Sequence, residues 1–134
     1  MSETTIAQRV PQPARWLAVA GFAATILVAS IVDPGGGIAR PGPLGLLTVA
    51  SWSHLGAYAI LTLGVLWALD GSSDIPTRIS AVGTVMVVGY SALIELLQSP
   101  LPYRTCAIGD LLANSVGALV ALSGWVVLQR SERR

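Results

Sequence analysis

Charge is scarce in this chain, and so are cysteine and histidine. Of its 134 residues, 11% are charged and 53% are hydrophobic, and the mean hydropathy is +0.68. Such a chain has too few polar residues to cover a water-soluble domain, so the composition predicts an integral membrane protein. The single cysteine excludes an internal disulfide and leaves too few thiols for a metal motif. No metal or other cofactor is predicted.

Lysine is also absent, because all eight basic residues are arginines. The chain has no glycine-rich phosphate loop and no basic patch with interleaved aromatic residues. Nucleic acid is therefore not an expected partner, whereas membrane lipids are.

Four long apolar runs are present, and a helix needs roughly 20 such residues to cross the hydrocarbon core. The runs cover residues 16–32, 44–69, 79–97 and 108–128. They are continuous rather than alternating, and lipid offers no partners for backbone amides, so helices are favoured over a barrel. The sequence predicts an all-α integral membrane four-helix bundle. The second run is the longest, and we expect its first residues, 44–48, to lie at the membrane interface.

The placement of the arginines predicts the orientation of the bundle. Six of them lie on one side of a four-span chain, and only Arg40 and Arg104 lie on the other. By the positive-inside rule both termini are cytoplasmic, and the protein is expected in the plasma membrane. The domain prediction is a polar cytoplasmic segment at 1–15, a four-span domain at 16–128 and a short basic cytoplasmic tail at 129–134. Arg15 is expected to anchor the first helix at the interface.

Three ionisable residues, His54, Glu95 and Asp110, lie inside the apolar runs. An ionisable group in a membrane span is expensive unless it is paired, and it is therefore a candidate for function. With the predicted topology, all three residues lie near the outer leaflet on three different helices.

Helical spacing places further polar or small residues on the same faces as these three. The faces consist of Ser51, His54 and Tyr58, of Ser91, Glu95 and Gln98, and of Asp110, Asn114 and Gly117. Membrane helices turn such faces toward one another, so we expect an outward-facing polar pocket in the bundle. The plainer alternative is that the uncharged polar residues only join the helices by hydrogen bonds. Gly117 could also serve self-association, so the oligomeric state is open.

The polar residues also form a combined pattern along the chain. It joins His54 and Tyr58 to an E-x-x-Q at 95–98, an arginine after a proline-containing turn at 102–104, and a D-x-x-x-N-x-x-G at 110–117. In this pattern, over residues 51–121, the chain resembles the VanZ-like family. The resemblance implies a small envelope membrane protein, associated in some bacteria with resistance to the glycopeptide teicoplanin. The family often has Asp-Lys before the histidine, where this chain has Ala50 and Ser51.

The charges of the candidate residues restrict the mechanism. Glu95 and Asp110 bring two negative charges and Arg104 brings one positive charge, so protonated His54 or a neutral carboxyl group must complete the balance. The leading hypothesis is a noncatalytic pocket for the head group of an envelope lipid, a lipid-linked sugar or a lipophilic glycopeptide. Its predicted residues are His54, Glu95, Gln98, Arg104, Asp110 and Asn114, supported by Ser51, Tyr58, Ser91 and Gly117.

Two alternatives of other classes stay open. One is an intramembrane hydrolase or transferase for a lipid-linked substrate, with Glu95 or Asp110 as general base and His54 as proton shuttle or metal ligand. The other is a scaffold or transporter subunit in which the polar residues only fix the register of the helices.

Overall fold

The fold is all-helical, as the apolar runs predict. A computed structural model describes residues 10–32, 40–45, 47–70, 76–103 and 108–132. Its helices are α1 (Gln12–Ile31), α2 (Val49–Leu69), α3 (Thr77–Gln98) and α4 (Ile108–Glu132). Each of the four is long and apolar enough to cross a membrane. Within the described ranges no strand is formed, only an isolated bridge between Pro41 and Thr48 and a short 3-10 turn at Pro43–Gly45.

The helix boundaries follow the local chemistry of the chain. Helix α1 starts at Gln12, before the predicted apolar run. Pro13 is compatible with this start, because proline is tolerated in the first turn of a helix. Helix α2 starts after Thr48, whose side-chain oxygen accepts the Ser51 backbone N–H at 3.1 Å and caps the helix. Residues 44–48 therefore precede α2.

Helix α2 is the centre of the bundle, because it packs against each of the other three helices. Its most extensive contact is with α4, and α3 packs against both α4 and α1. The hydrophobic core consists of buried side chains from the first three helices: Ile26, Tyr58, Leu61, Val65, Val87 and Ile94. Helix α4 instead buries mainly small residues, Ala113, Gly117, Ala118 and Ala121. Consequently α4 approaches α2 more closely than large side chains would permit.

Gly117 marks the point of this close approach. A methyl group at this position would collide with the carbonyl oxygen of Leu55 and lie 3.2 Å from the Leu55 Cα atom. The backbones of α2 and α4 are therefore in direct contact, as is common where small residues line the interface of membrane helices.

The outer surface of the bundle is apolar. Val85, Met86 and Leu96 of α3 are each more than 60% exposed, while polar residues such as Ser91 and Thr84 are buried. This distribution is the reverse of that in a water-soluble protein and is the one expected for a bundle surrounded by lipid.

Arg15, which the sequence places at the membrane interface, is buried at one end of the bundle, against the C-terminal end of α2. It is 5% exposed, and its guanidinium donates to the carbonyl oxygens of Trp67, at 3.0 Å, and Asp70. Its Nε donates to Val10, and its charge lies 5.5 Å from the centre of the Trp67 ring. Arg15 therefore satisfies carbonyl groups at the C-terminal end of α2, where a positive charge also favours the helix dipole.

We predict that Gly117→Ala destabilises the bundle, although Gly→Ala in a helix ordinarily stabilises by about 0.5–1 kcal/mol. The added methyl group would force α4 away from the Leu55 backbone. Thermal unfolding of the purified protein in detergent measures the effect. Gly124→Ala on the same helix is the matched control, because its methyl group would have no neighbour within 4 Å. Equal melting temperatures for the two variants would contradict the prediction.

Candidate functional site

The predicted polar residues lie at one end of the bundle, which we call the site end. Here α1 and α3 end, and α2 and α4 begin. At about 1.5 Å per residue, His54, Glu95 and Asp110 lie within about 8 Å of the ends of their helices. Tyr58, Ser91 and Asn114 lie deeper, at about 9 to 14 Å. The six residues thus form two layers on three helices, and together we call them the polar cluster.

The outer layer contains an imidazole–carboxylate pair. His54 Nε2 lies 4.0 Å from Asp110 Oδ2, and the two side chains are 22% and 30% exposed. This separation allows charge attraction when the imidazole is protonated, but it is too long for a direct hydrogen bond. The pair joins the first turns of α2 and α4 and remains accessible from the site end.

The inner layer joins all three helices through uncharged groups. Asn114 Nδ2 of α4 donates to Ser91 Oγ of α3 at 2.7 Å, and Tyr58 of α2 lies beside Ser91. Asn114 is 2% exposed, and its Oδ1 has no hydrogen-bond partner in the part of the chain that the structure describes. The inner layer therefore contains a buried hydrogen-bond acceptor that its described neighbours leave unused.

Glu95 is the α3 residue of the outer layer. It is only 7% exposed, one turn after Ser91, and it contributes to the electrostatic environment of Tyr58. Its carboxyl group therefore belongs to the same region of the bundle as the hydroxyl groups of Tyr58 and Ser91.

Two predicted residues have other partners. The Gln98 amide donates to the carbonyl oxygen of Ser30 on α1 at 2.6 Å, so this group is directed toward the first helix. The Ser51 hydroxyl lies 3.0 Å from that of Thr48, at the cap of α2. Their helical spacing is as predicted, but these contacts serve the α1–α3 packing and the start of α2. Arg104 lies outside the described residues.

A metal centre is not assembled by the described residues, since no three His, Cys, Asp or Glu side chains among them could hold an ion together. The His54–Asp110 pair alone would supply two ligands, fewer than zinc sites use.

Sequence reasoning missed the contribution of α1 to the site end. Ser30 is 6% exposed, and together with Ile26 and Ala29 it faces α2 across a cleft that His54 and Tyr58 also line. The spacing of Ile26 and Ser30 by four residues is the signal that could have indicated a buried face. Tyr90 and Tyr103 likewise donate to α1 carbonyl groups, at 2.6 Å to Ala23 and 2.9 Å to Ile31.

We predict that Asn114 and Ser91 are energetically coupled. A double-mutant cycle with Asn114→Ala and Ser91→Ala should give a coupling of about 0.6 kcal/mol, typical of hydrogen bonds between membrane helices. Reversible unfolding in mixed micelles measures it. Ser115→Ala combined with Ser91→Ala is the control, because the Ser115 hydroxyl donates within its own helix to Leu111. A coupling no larger for Asn114 than for Ser115 would contradict the prediction.

Comparison with known proteins confirms the resemblance to the VanZ-like family. The family model described as VanZ/LLP1 matches residues 7–129, which include the first three helices, most of α4 and the whole polar cluster. No curated protein and no solved structure matches the chain. The match and the four membrane-length helices together indicate a multi-pass membrane protein. The chain belongs to the VanZ/LLP1 family.

Proposed function

We propose that the polar cluster binds the polar head group of an envelope lipid, a lipid-linked sugar or a lipophilic glycopeptide. The observation that carries the proposal is the meeting of polar side chains from three helices in two layers, with one buried acceptor unused. The contacts are His54–Asp110 in the outer layer and Asn114–Ser91 in the inner layer.

The unused acceptor supports a binding site more than it supports simple helix packing. A hydrogen bond between membrane helices stabilises by about 0.6 kcal/mol on average, whereas a buried polar atom without a partner costs about 1–3 kcal/mol. If Asn114 served only to join the helices, its Oδ1 atom would add no hydrogen bond to the stability of the bundle. A ligand hydroxyl or amide that donates to this atom would remove the penalty.

The cluster is proposed to face the outside of the plasma membrane. Arg15, Arg78 and Arg130 lie at the end of the bundle opposite to the site end, near the end of α2, the start of α3 and the end of α4. Since arginine is enriched on the cytoplasmic side, this arrangement supports cytoplasmic termini and an outward site. Binding of a lipophilic glycopeptide would also provide the link to teicoplanin resistance that the resemblance implies.

We predict that Glu95→Gln removes a lipid-sized or glycan-sized adduct that copurifies with the native protein. The substitution keeps the shape of the side chain but removes a buried carboxylate that can accept hydrogen bonds from a head group. Native mass spectrometry after mild detergent extraction measures the adduct. Glu132→Gln is the matched control, because Glu132 is exposed at the opposite end of the bundle and should retain the adduct.

The outcomes of this experiment separate the three functional classes. Loss of the adduct from the Glu95 variant alone supports head-group binding. Turnover of the copurified lipid by the native protein would instead favour a hydrolase or transferase, for which the His54–Asp110 pair is the favourable observation. No adduct and no turnover with any folded form would leave the polar cluster as a scaffold for helix register and would contradict the proposal.

Topology gives an independent test of the outward orientation. A green fluorescent protein fused to the C-terminus should fluoresce, and an alkaline phosphatase fused there should be inactive, because the basic tail is expected in the cytoplasm. Fusions after residue 103, at the site end, should show the opposite pair of results. A reversed pattern would place the polar cluster on the cytoplasmic side and reject an outward-facing pocket.

A further inference from the structure

A cleft opens between α1 and α2 at the site end, next to the polar cluster. Its volume is about 260 Å³, and its wall includes Ile26 and Ala29 of α1 and Ala50 and Ala57 of α2. His54 and Tyr58 line the same cleft. These two residues therefore have the cleft on one side and their polar partners on α3 and α4 on the other.

The cleft has the chemistry of a route for hydrocarbon. Most of its wall is apolar, and the hydroxyl of Ser53, which also lines it, already donates to the Val49 carbonyl oxygen at 2.9 Å. Small side chains on both helices keep it open: Ala29, Ala50, Ser53 and Ala57. A pocket for a complete drug-sized molecule spans about 300–1,000 Å³, so this cleft has room for part of an amphiphile.

On the opposite side of α2, the described residues of α2 and α4 pack closely around Gly117. There the backbone of Leu55 touches α4 at Gly117, where not even a methyl group fits. A head group bound at the polar cluster remains attached to its chain, and this chain must reach the surrounding lipid. The α1–α2 cleft supplies that passage beside His54 and Tyr58.

We infer that the α1–α2 cleft admits one hydrocarbon chain of a lipid whose head group is held at the polar cluster. This inference rests on the proposed function. The cleft contributes by leaving room for the chain and adds little to the binding free energy. A chain in lipid is already surrounded by apolar groups and gains little from an apolar wall. The ligand class is thus an amphiphile that enters sideways from the bilayer.

Blocking the cleft tests the inference. We predict that Ala50→Phe weakens binding of a long-chain lipid by about tenfold or more and leaves its short-chain analogue unaffected. Ala50 lines the cleft and is exposed on α2, so a larger side chain is compatible with folding. Ser53→Phe fills the same cleft from a second position. Ala92→Phe on the exposed side of α3 is the matched control and should bind both lipids as the native protein does.

The probes are dioleoyl and dihexanoyl glucosyl diacylglycerol, with dioleoyl and dihexanoyl phosphatidylglycerol titrated in parallel. Binding to the purified full-length protein is measured by native mass spectrometry in detergent, with melting temperatures to confirm that each variant is folded. Each pair of probes has one head group and two chain lengths. Loss of long-chain binding alone therefore reports on the cleft, whereas equal loss of both chain lengths in a folded cleft variant counts, like unchanged long-chain binding, against the inference.

The results for the cleft variants and the native protein test the inference as follows. Selective loss of the long-chain lipid in both cleft variants supports entry between α1 and α2. Unchanged long-chain binding in folded cleft variants overturns the inference, while the proposed head-group site stands. If the native protein binds none of the four probes, both the proposed head-group site for these lipids and the cleft inference fail.

Discussion

The contact between the backbones of α2 and α4 is the constraint on which the site depends. Gly117 rests on Leu55, and this contact fixes both the distance and the register of the two helices. Asp110 and Asn114 lie on the same face of α4, two turns and one turn before the glycine. With this register Asp110 of α4 lies 4.0 Å from His54 of α2, and on the side of α4 that packs against α3, Asn114 donates to Ser91. A larger residue at position 117 would move α4 away from α2 and would lengthen the separation of His54 and Asp110.

Small and large buried side chains lie on different sides of α2, and this explains why the cleft lies between α1 and α2 and not between α2 and α4. Between α2 and α4 the buried residues are mainly small, so the helices touch and no space remains. Between α1 and α2 the large side chain of Ile26 keeps the helices apart, while alanines at the site end fail to fill the gap. Lipid provides no hydrophobic force that would close such a gap, since a hydrocarbon chain can occupy it without loss.

The sequence was sufficient for the number of helices and for the faces of α2, α3 and α4, because apolar length and the 3.6-residue period are local properties. The sequence was insufficient to predict which groups each polar side chain contacts. Gln98 has the spacing of the polar face, yet its amide reaches Ser30, because position on a face does not say which neighbour a long side chain will find. Arg15 turns inward for a similar reason: the carbonyl groups that it satisfies belong to a distant part of the chain.

If the polar cluster binds a head group as proposed, its charge favours a particular kind of head group. The described cluster contains two carboxyl groups and one imidazole, of which the Glu95 carboxyl is nearly buried. Two like charges about 4 Å apart at an effective dielectric constant of about 20 repel by about 4 kcal/mol, so a phosphate beside an ionised Glu95 or Asp110 is penalised. Sugar hydroxyls and amides donate hydrogen bonds to carboxylates and to the Asn114 oxygen without added charge. Under the proposed function, a phosphate-linked sugar would fit best with its sugar at the cluster and its phosphate farther from the two carboxyl groups.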